Sequence, residues 1–340
     1  MPYTVNSSFC GFISHVVNTD PDRTTLARAS RQNLIDNIAS LSGNNELPRL
    51  YREKHIHYGS FQRRTKICEV DDVDMMLCIY GSGSTYTMHN KNLYTIIVPD
   101  DVAVLSELRE QDGTLNSRKL INRFIQKLSP LRDYRKADIH RNQEAMTLKF
   151  KSYEWNFDVV PCFYAEDDFY LIPDGQGNWK RTDPRIDETR INNAETRVKI
   201  NYPQAVNIRE FIRLMKYWKK VTWGNKIGSY AFEQLMLSYI ETHNIYADWQ
   251  SNVRDALLYM SQNIKYAIQD PKGIQGDLAN LSYEDKTSLS SSAEADYQIA
   301  CKAITIENMA RILQSNHKLA IDEWQKIFGN EFKTYGQFYA

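Results

Sequence analysis

The sequence predicts an α+β fold in two parts, a mixed helix-and-strand half followed by an all-helical half. Three observations carry this. Short apolar segments of strand character gather between about residues 70 and 170. Helical periodicity then runs from about residue 205 to the end, and the intervening stretch 175–205, which contains "DGQGNWKRTDPR", is polar. The boundary falls within that stretch, giving expected domains 1–200 and 201–340. A chain of 340 residues has room for both.

In chain order, "DPDRTTLARASRQNLIDNIASLSG" opens with Asp20-Pro21 as cap and first turn and ends at Gly43, with Leu26, Ala29, Leu34, Ile38 and Leu41 near helical spacing. It reads as a helix. "VDMMLCIY", "NLYTIIVP", "AMTLKFKSY" and "WNFDVVPCFY" read as strands, and "LNSRKLINRFIQKL" as a helix. In the second half "AVNIREFIRLMKYWKKV", "YAFEQLMLSYIETH", "NVRDALLYMSQNIKYAI" and "AEADYQIACKAITIENMARILQ" carry helical periodicity. "AIDEWQKIFG" predicts a short final helix, and "DPKGIQGDLANLSYEDKTSLSSS" an exposed loop between helices.

Composition narrows the class. With 42% hydrophobic and 25% charged residues, the chain has enough apolar surface for a real core. Forty-two basic and forty-two acidic side chains cancel, which disfavours a strongly basic nucleic-acid binder. Cys10, Cys68, Cys78, Cys162 and Cys301 are scattered without a C-x-x-C or zinc spacing, so they read as reduced and mostly buried. The apolar "FCGFISHVV" lacks a basic flank and a cleavage site, and no apolar run reaches membrane-spanning length. A cytoplasmic protein is expected.

The chemistry lies in carboxylates. In "EVDDVDMMLCI" a strand places Asp72 and Asp74 on one face, Val73, Met75 and Leu77 on the other, and Asp71 off the acidic face. Two carboxylates one pleat apart can bind a divalent cation, and a third oxygen donor lets them bind two; magnesium prefers such hard ligands. Asp158 is the best third donor, because it is the only acidic residue in the apolar "WNFDVVPCF", where a lone carboxylate is costly unless paired or metal-bound. Taken singly, the Asp pair is more often solvated than functional, and Asp158 could be a satisfied core carboxylate.

The tripeptide Tyr-Gly-Ser occurs twice around this strand. In "GSFQRRT", Ser60 stands twelve residues before Asp72, a gap that suits a turn and a short helix. Gly59 permits close backbone approach to a phosphate, and Ser60 offers a hydroxyl and an N–H. The second copy, "YGSGSTYT", follows the strand, lacks the Walker lysine, and reads as a turn leading to "LYTIIVP".

Taken in order, G-S-x(4)-T, D-x-D on a strand and a distant hydrophobic-Asp-Val-Val-Pro strand resemble the polymerase-β-like nucleotidyltransferase superfamily. Within it the chain most resembles the CD-NTase family, bacterial relatives of cyclic GMP-AMP synthase and oligoadenylate synthetase that make signalling nucleotides for anti-phage (CBASS) defence. "LMKYWKK", "GSYAFEQL", "IQDPKGIQGDL" and "WQKIFGNEF" extend the resemblance over most of the chain.

The resemblance implies a polymerase-β-like domain with a mixed sheet, followed by a helical nucleotide-binding domain. It implies that Gly59 and Ser60 hold a donor triphosphate and that Asp72, Asp74 and Asp158 bind two Mg²⁺, with Mn²⁺ as the alternative ion. Lys216 and Ser229 would touch the triphosphate, and Tyr230 would stack on a base. NTPs would be the substrates, and a downstream effector would respond to the nucleotide product. Regulatory proteins are left unassigned, and neither a membrane nor long nucleic acid is expected as a partner. Read from its own residues, "NIREFIRLMKYWKK" has an apolar face (Ile208, Phe211, Ile212, Met215) and a basic stripe (Arg209, Arg213, Lys216, Lys220). Arg209 and Lys220 suit a solvated face, and Tyr230 suits a core aromatic as well as a stacking platform. Two other readings stand beside a cyclic-nucleotide synthase. One is a same-fold enzyme making linear oligonucleotides or extending an RNA end; the other is an inactive nucleotide-binding protein, which the intact acidic triad disfavours.

Overall fold

The computed structural model describes residues 4–68, 70–90, 92–151 and 154–338. In chain order the first elements are α1 (Val5–Phe12), continued by a π turn (Ile13–Val17), and α2 (Pro21–Gly43). Then come β1 (Ile56–His57), the single-turn α3 (Gly59–Gln62), β2 (Asp72–Ile79), β3 (Thr85–Asn90), β4 (Leu93–Ile97) and α4 (Ser117–Leu128). Five strands follow: β5 (Asp138–Asn142), β6 (Ala145–Lys149), β7 (Asn156–Ala165), β8 (Phe169–Pro173) and β9 (Trp179–Thr182). The remainder is helical: α5 (Pro184–Asn201), α6 (Ile208–Thr222), α7 (Ser229–Thr242), α8 (Trp249–Asn263), α9 (Tyr283–Ile312) and α10 (Lys318–Phe328).

Two compact units result, one of residues 20–64 and 69–186, the other of 1–19, 65–68 and 187–340. The division falls in the first turn of α5, not at residue 200, and the N-terminal segment goes with the helices. Hydrophobic burial explains both departures. Phe9 and Phe12 of α1, and Ile191, Ala194 and Val198 of α5, lie in one core with Phe211, Met215 and Trp218 of α6 and Trp324 and Phe328 of α10.

In the sheet-bearing unit, α2 starts where Asp20 caps it, its carboxylate accepting from the N–H groups of Asp22 (2.8 Å) and Arg23 (3.0 Å), with Pro21 in the first turn. The sheet runs β1-β2-β7-β8-β9-β4-β3, with β5 and β6 joined through a β6–β7 pairing. β2 and β7 are parallel and every other pairing is antiparallel. β7 pairs β6 along Asn156–Val159 and β8 along Phe163–Ala165. Pro161 sits in the gap between those partners, where its missing N–H costs no ladder bond on that side.

Side-chain alternation on β2 and β7 separates two faces. Val73, Met75, Leu77 and Ile79, with Phe157, Val159 and Phe163, pack in a core with Leu34 and Ile38 of α2 and Leu120 and Phe124 of α4. Met76 and Cys78, with Val160 and Cys162, form a smaller cluster on the opposite face with Tyr58. Asp72, Asp74 and Asp158 belong to that second face by parity.

The predicted strands and helices are present, with additions. α1, β1, β3, β5, β8, β9 and α5 are not among the predicted elements. The "YGSGSTYT" turn leads into β3, and only then by a hairpin into β4, so it does not join β2 directly to "LYTIIVP". Much of the predicted loop after α8 is helical, because α9 starts at Tyr283 with the Ser282 hydroxyl accepting from the Asp285 N–H. Ser152 and Tyr153, the end of the predicted strand "AMTLKFKSY", lie outside the described residues. All five cysteines are free, but only Cys78 and Cys162 are buried and Cys10 is exposed, so most are not core residues. Among the described residues, no helix is long and apolar enough to cross a membrane.

Candidate active site

The sheet register builds the acidic site. Asp74 and Asp158 are direct partners on the parallel β2–β7 pair, and Asp72 lies opposite Asn156 one pleat earlier. Directly paired residues share a face, so the three carboxylates stand together at the N-terminal end of two adjacent strands. Asp158 is held further: Thr147, its register partner on β6, donates a 2.5 Å hydrogen bond to its Oδ1. Asp71 precedes the strand and instead uses its backbone carbonyl, which accepts from the Asn156 N–H at 2.8 Å.

The first Gly-Ser copy lies against this face. Gly59 has φ +75°, and a β-carbon there would clash with the Asp74 carboxylate. Glycine is required on both counts, conformation and space. Ser60 follows it in the one-turn helix α3. Tyr58, just before the loop, is partly buried; desolvation and the nearby carboxylates of Asp74, Asp158 and Glu144 push its phenol well above its ordinary range. The tyrosine therefore stays neutral beside the acids.

The second copy, Gly81-Ser82, lies beyond the far end of β2 as a turn, with Ser82 at φ +50° and Gly83 at φ +83°. It lines a separate cleft of about 470 Å³ with Tyr51, Tyr80, Tyr86 and Tyr164.

Three hard carboxylate donors on one sheet face suit Mg²⁺ in kind. Among the described residues, however, no group of three or more carboxylate, histidine or cysteine side chains converges closely enough to hold a metal ion. The backbone brings the aspartates into register on one face.

In the helical unit, Lys216 is buried on α6. Its Nζ donates to Glu233 Oε2 of α7 (2.5 Å), to the Thr65 carbonyl (3.1 Å) and to Thr65 Oγ1 (3.3 Å), while Thr65 Oγ1 donates to the same Glu233 oxygen (2.7 Å). Lys216, Glu233 and Thr65 are all buried. The lysine thus supports the segment between the Gly59 loop and β2, a structural duty not anticipated beside its expected phosphate contact. The stripe around it divides: Arg209 pairs with Glu195 (2.9 Å) and Asn192 instead of facing water, Arg213 bonds Asn18, and Lys220 is exposed as read.

Ser229 is the exposed first residue of α7, after the Gly228 cap. Tyr230 is partly exposed, and its hydroxyl donates to Asp187 Oδ1 (2.7 Å) and accepts from Lys272. Sequence reasoning missed Thr147, Tyr58, Glu233, Asp187 and Lys272. Tyr58 in the Tyr-Gly-Ser tripeptide, Glu233 in "GSYAFEQL" and Lys272 in "IQDPKGIQGDL" lie within motifs quoted from the sequence, and Thr147 within a predicted strand, but their contacts arise from register or packing that a single sequence does not display.

Comparison with known proteins agrees with this architecture. No family model matches the chain. A probable cyclic nucleotide synthase of Bacillus cereus (strain VD146) is 39% identical over 342 aligned residues, covering 98% of this chain and 99% of that protein. The structure of E. coli MS115-1 CdnC with ATP superposes with a TM-score of 0.68 at 15% identity, over 96% of this chain and 98% of that one. Vibrio cholerae DncV, a cyclic AMP-GMP synthase solved with nonhydrolyzable GTP, superposes at 0.57 and 15% identity, over 83% and 70%. The near-full-length relative, together with the shared fold, makes this chain a nucleotidyltransferase. The chain belongs to the CD-NTase family.

Proposed function

We propose that this nucleotidyltransferase condenses NTPs into a cyclic di- or oligonucleotide, releases pyrophosphate, and requires two Mg²⁺ held by Asp72, Asp74 and Asp158. The direct register of Asp74 with Asp158, beside a glycine that both its positive φ and the closeness of Asp74 require, is the observation that carries this reading. The name of the Bacillus relative supports a cyclic product.

When bound, the ions would neutralise the triphosphate and polarise the reacting phosphate and hydroxyl. The remaining work falls to the chain. The Gly59-Ser60 loop presents backbone N–H groups and a hydroxyl to the donor triphosphate. Asp158, held by Thr147, orients the acceptor 2′- or 3′-hydroxyl and assists its loss of a proton. The hydroxyl oxygen bonds to the donor α-phosphorus while the bond from that phosphorus to the bridging oxygen breaks, and pyrophosphate leaves. Repetition from the other end of the linear intermediate closes the ring. Ser229 at the exposed start of α7 is assigned to the triphosphate and Tyr230 to a base. Lys216 is assigned a triphosphate contact that must be made alongside, or in exchange for, its Glu233 partner.

The product would serve a cytoplasmic signalling system that defends against phage, through an effector that binds it. The chemistry is tested by pyrophosphate release from mixed NTPs with Mg²⁺, with chelator, and with Asp158→Asn. Release that survives both chelation and the substitution contradicts the metal assignment. Plaque counts on cells of the source strain with wild-type or Asp74→Asn enzyme test the defence role, and equal counts contradict it.

A further inference from the structure

Lysine is among the residues least often buried, yet the Lys272 side chain is only 9% exposed. It stands in the loop between α8 and α9, and its ammonium bonds Asp187 Oδ2 at 3.0 Å and the Tyr230 hydroxyl, with Asp270 Oδ1 at 3.6 Å. The Tyr230 oxygen therefore accepts from Lys272 and donates to Asp187 Oδ1, so both hydrogen-bonding roles of the phenol are fixed. The ammonium lies 4.3 Å from the ring centroid and acts at the hydroxyl end of the ring.

Asp270 organises the loop that delivers the lysine. Its Oδ1 accepts from the Lys272 N–H (3.1 Å), and its Oδ2 accepts from the N–H groups of Ile274 (3.2 Å) and Gln275 (3.0 Å). Burial raises the carboxyl's proton affinity, but these donors and Lys272 outweigh it and hold Asp270 below its ordinary range. The loop is thus tied to a carboxylate at its start, and its lysine is tied to a tyrosine on α7.

We propose that Asp270, Lys272 and Asp187 are positioning residues that lock the Tyr230 ring in one orientation before nucleotide arrives, so that base stacking pays no cost of ordering the side chain. This rests on the reading of Tyr230 as the base platform. A tyrosine held at its hydroxyl loses the freedom of both side-chain torsions in advance, which strengthens binding without touching the reacting atoms. The lock should act on nucleotide affinity and leave the chemical step alone.

The test uses the full-length enzyme and 2-aminopurine riboside triphosphate, whose fluorescence falls on stacking, alongside steady-state kinetics. Tyr230→Phe keeps the ring and removes the hydroxyl; Lys272→Met keeps length and removes the charge. Each should weaken analogue binding and raise KM about fivefold to twentyfold with kcat within about threefold, and the double variant should be no worse than the weaker single, as for residues acting in one network. Tyr230→Phe carries the test if Lys272→Met does not fold. Wild-type affinity in Tyr230→Phe, with weakened binding in Tyr230→Ala, overturns the lock and leaves the platform standing. Unchanged affinity in Tyr230→Ala overturns the platform reading itself.

Discussion

Gly59 lies against Asp74 so closely that no β-carbon fits between its backbone and the carboxylate, and its φ of +75° excludes an ordinary side chain independently. The loop and the acidic strand are therefore one construction. Gly59→Ala must displace one of them. The strained backbone alone should cost about 1–3 kcal/mol, and synthesis should fall at least tenfold. Melting temperature and initial rate measured on the same preparation check this; an alanine variant with wild-type rate contradicts the assigned role of the loop.

Asp74→Asn preserves shape and removes one charge from the paired strands. Its thermal midpoint should stay near wild type, because the amide keeps the shape of the carboxylate against Gly59. Synthesis should fall by at least about a hundredfold, since charge stabilisation at the reacting phosphate is of that order in rate. Rate per folded molecule is the measurement, and an active Asn variant refutes the site.

Lys216 and Glu233 form a buried ion pair, whose members are costly to remove singly. Lys216→Met or Glu233→Leu alone should destabilise by about 3–5 kcal/mol, and the two together by less than either. Denaturant unfolding of the four proteins of the cycle reads the coupling. If Lys216→Met instead melts normally and only raises KM for NTPs, the lysine's main work is on the triphosphate.

The strand β1 and its approach carry two histidines that resist protonation. His55 is lowered to about 4, first by burial and then by Arg52, and its Nδ1 accepts from the Cys78 N–H at 2.9 Å. His57 is also lowered to about 4, by burial and then by Arg31. A histidine with a depressed folded pKa binds its proton mainly in the unfolded chain, so its stabilising effect is complete above the ordinary value and is lost as pH falls from about 6.5 towards 4. Each can contribute at most about 3 kcal/mol, and less because both remain partly exposed. Urea unfolding at pH 7.5 and 5 should show this loss, and His55→Gln should reduce the pH slope. A slope unchanged by that substitution contradicts the assignment.

Much of this site was legible in the order of residues. Alternation on "VDMMLCIY" put Asp72 and Asp74 on one face, and the apolar surroundings of Asp158 marked it as unusual. Position relative to the acidic strand separated the two Gly-Ser copies. Other features depend on which strands become neighbours. Thr147 reaches Asp158 only because β6 pairs the first half of β7, and nothing local in "AMTLKFK" announces that. The buried partners of Lys216 and Tyr230 come from segments 17 to 151 residues away in sequence. Periodicity assigned Lys216 to a basic stripe because it reads one helix at a time and cannot see Glu233 on the next.

The central claim is that the register-matched aspartates make a cyclic nucleotide. It is tested most directly by incubating the enzyme with all four NTPs and Mg²⁺, treating the mixture with phosphatase, and identifying the surviving species by mass. The expected result is a phosphatase-resistant product whose mass equals its nucleoside monophosphates less one water for each linkage, absent with Asp74→Asn. Only linear products, each degraded to nucleosides or ending in a free hydroxyl, would contradict it.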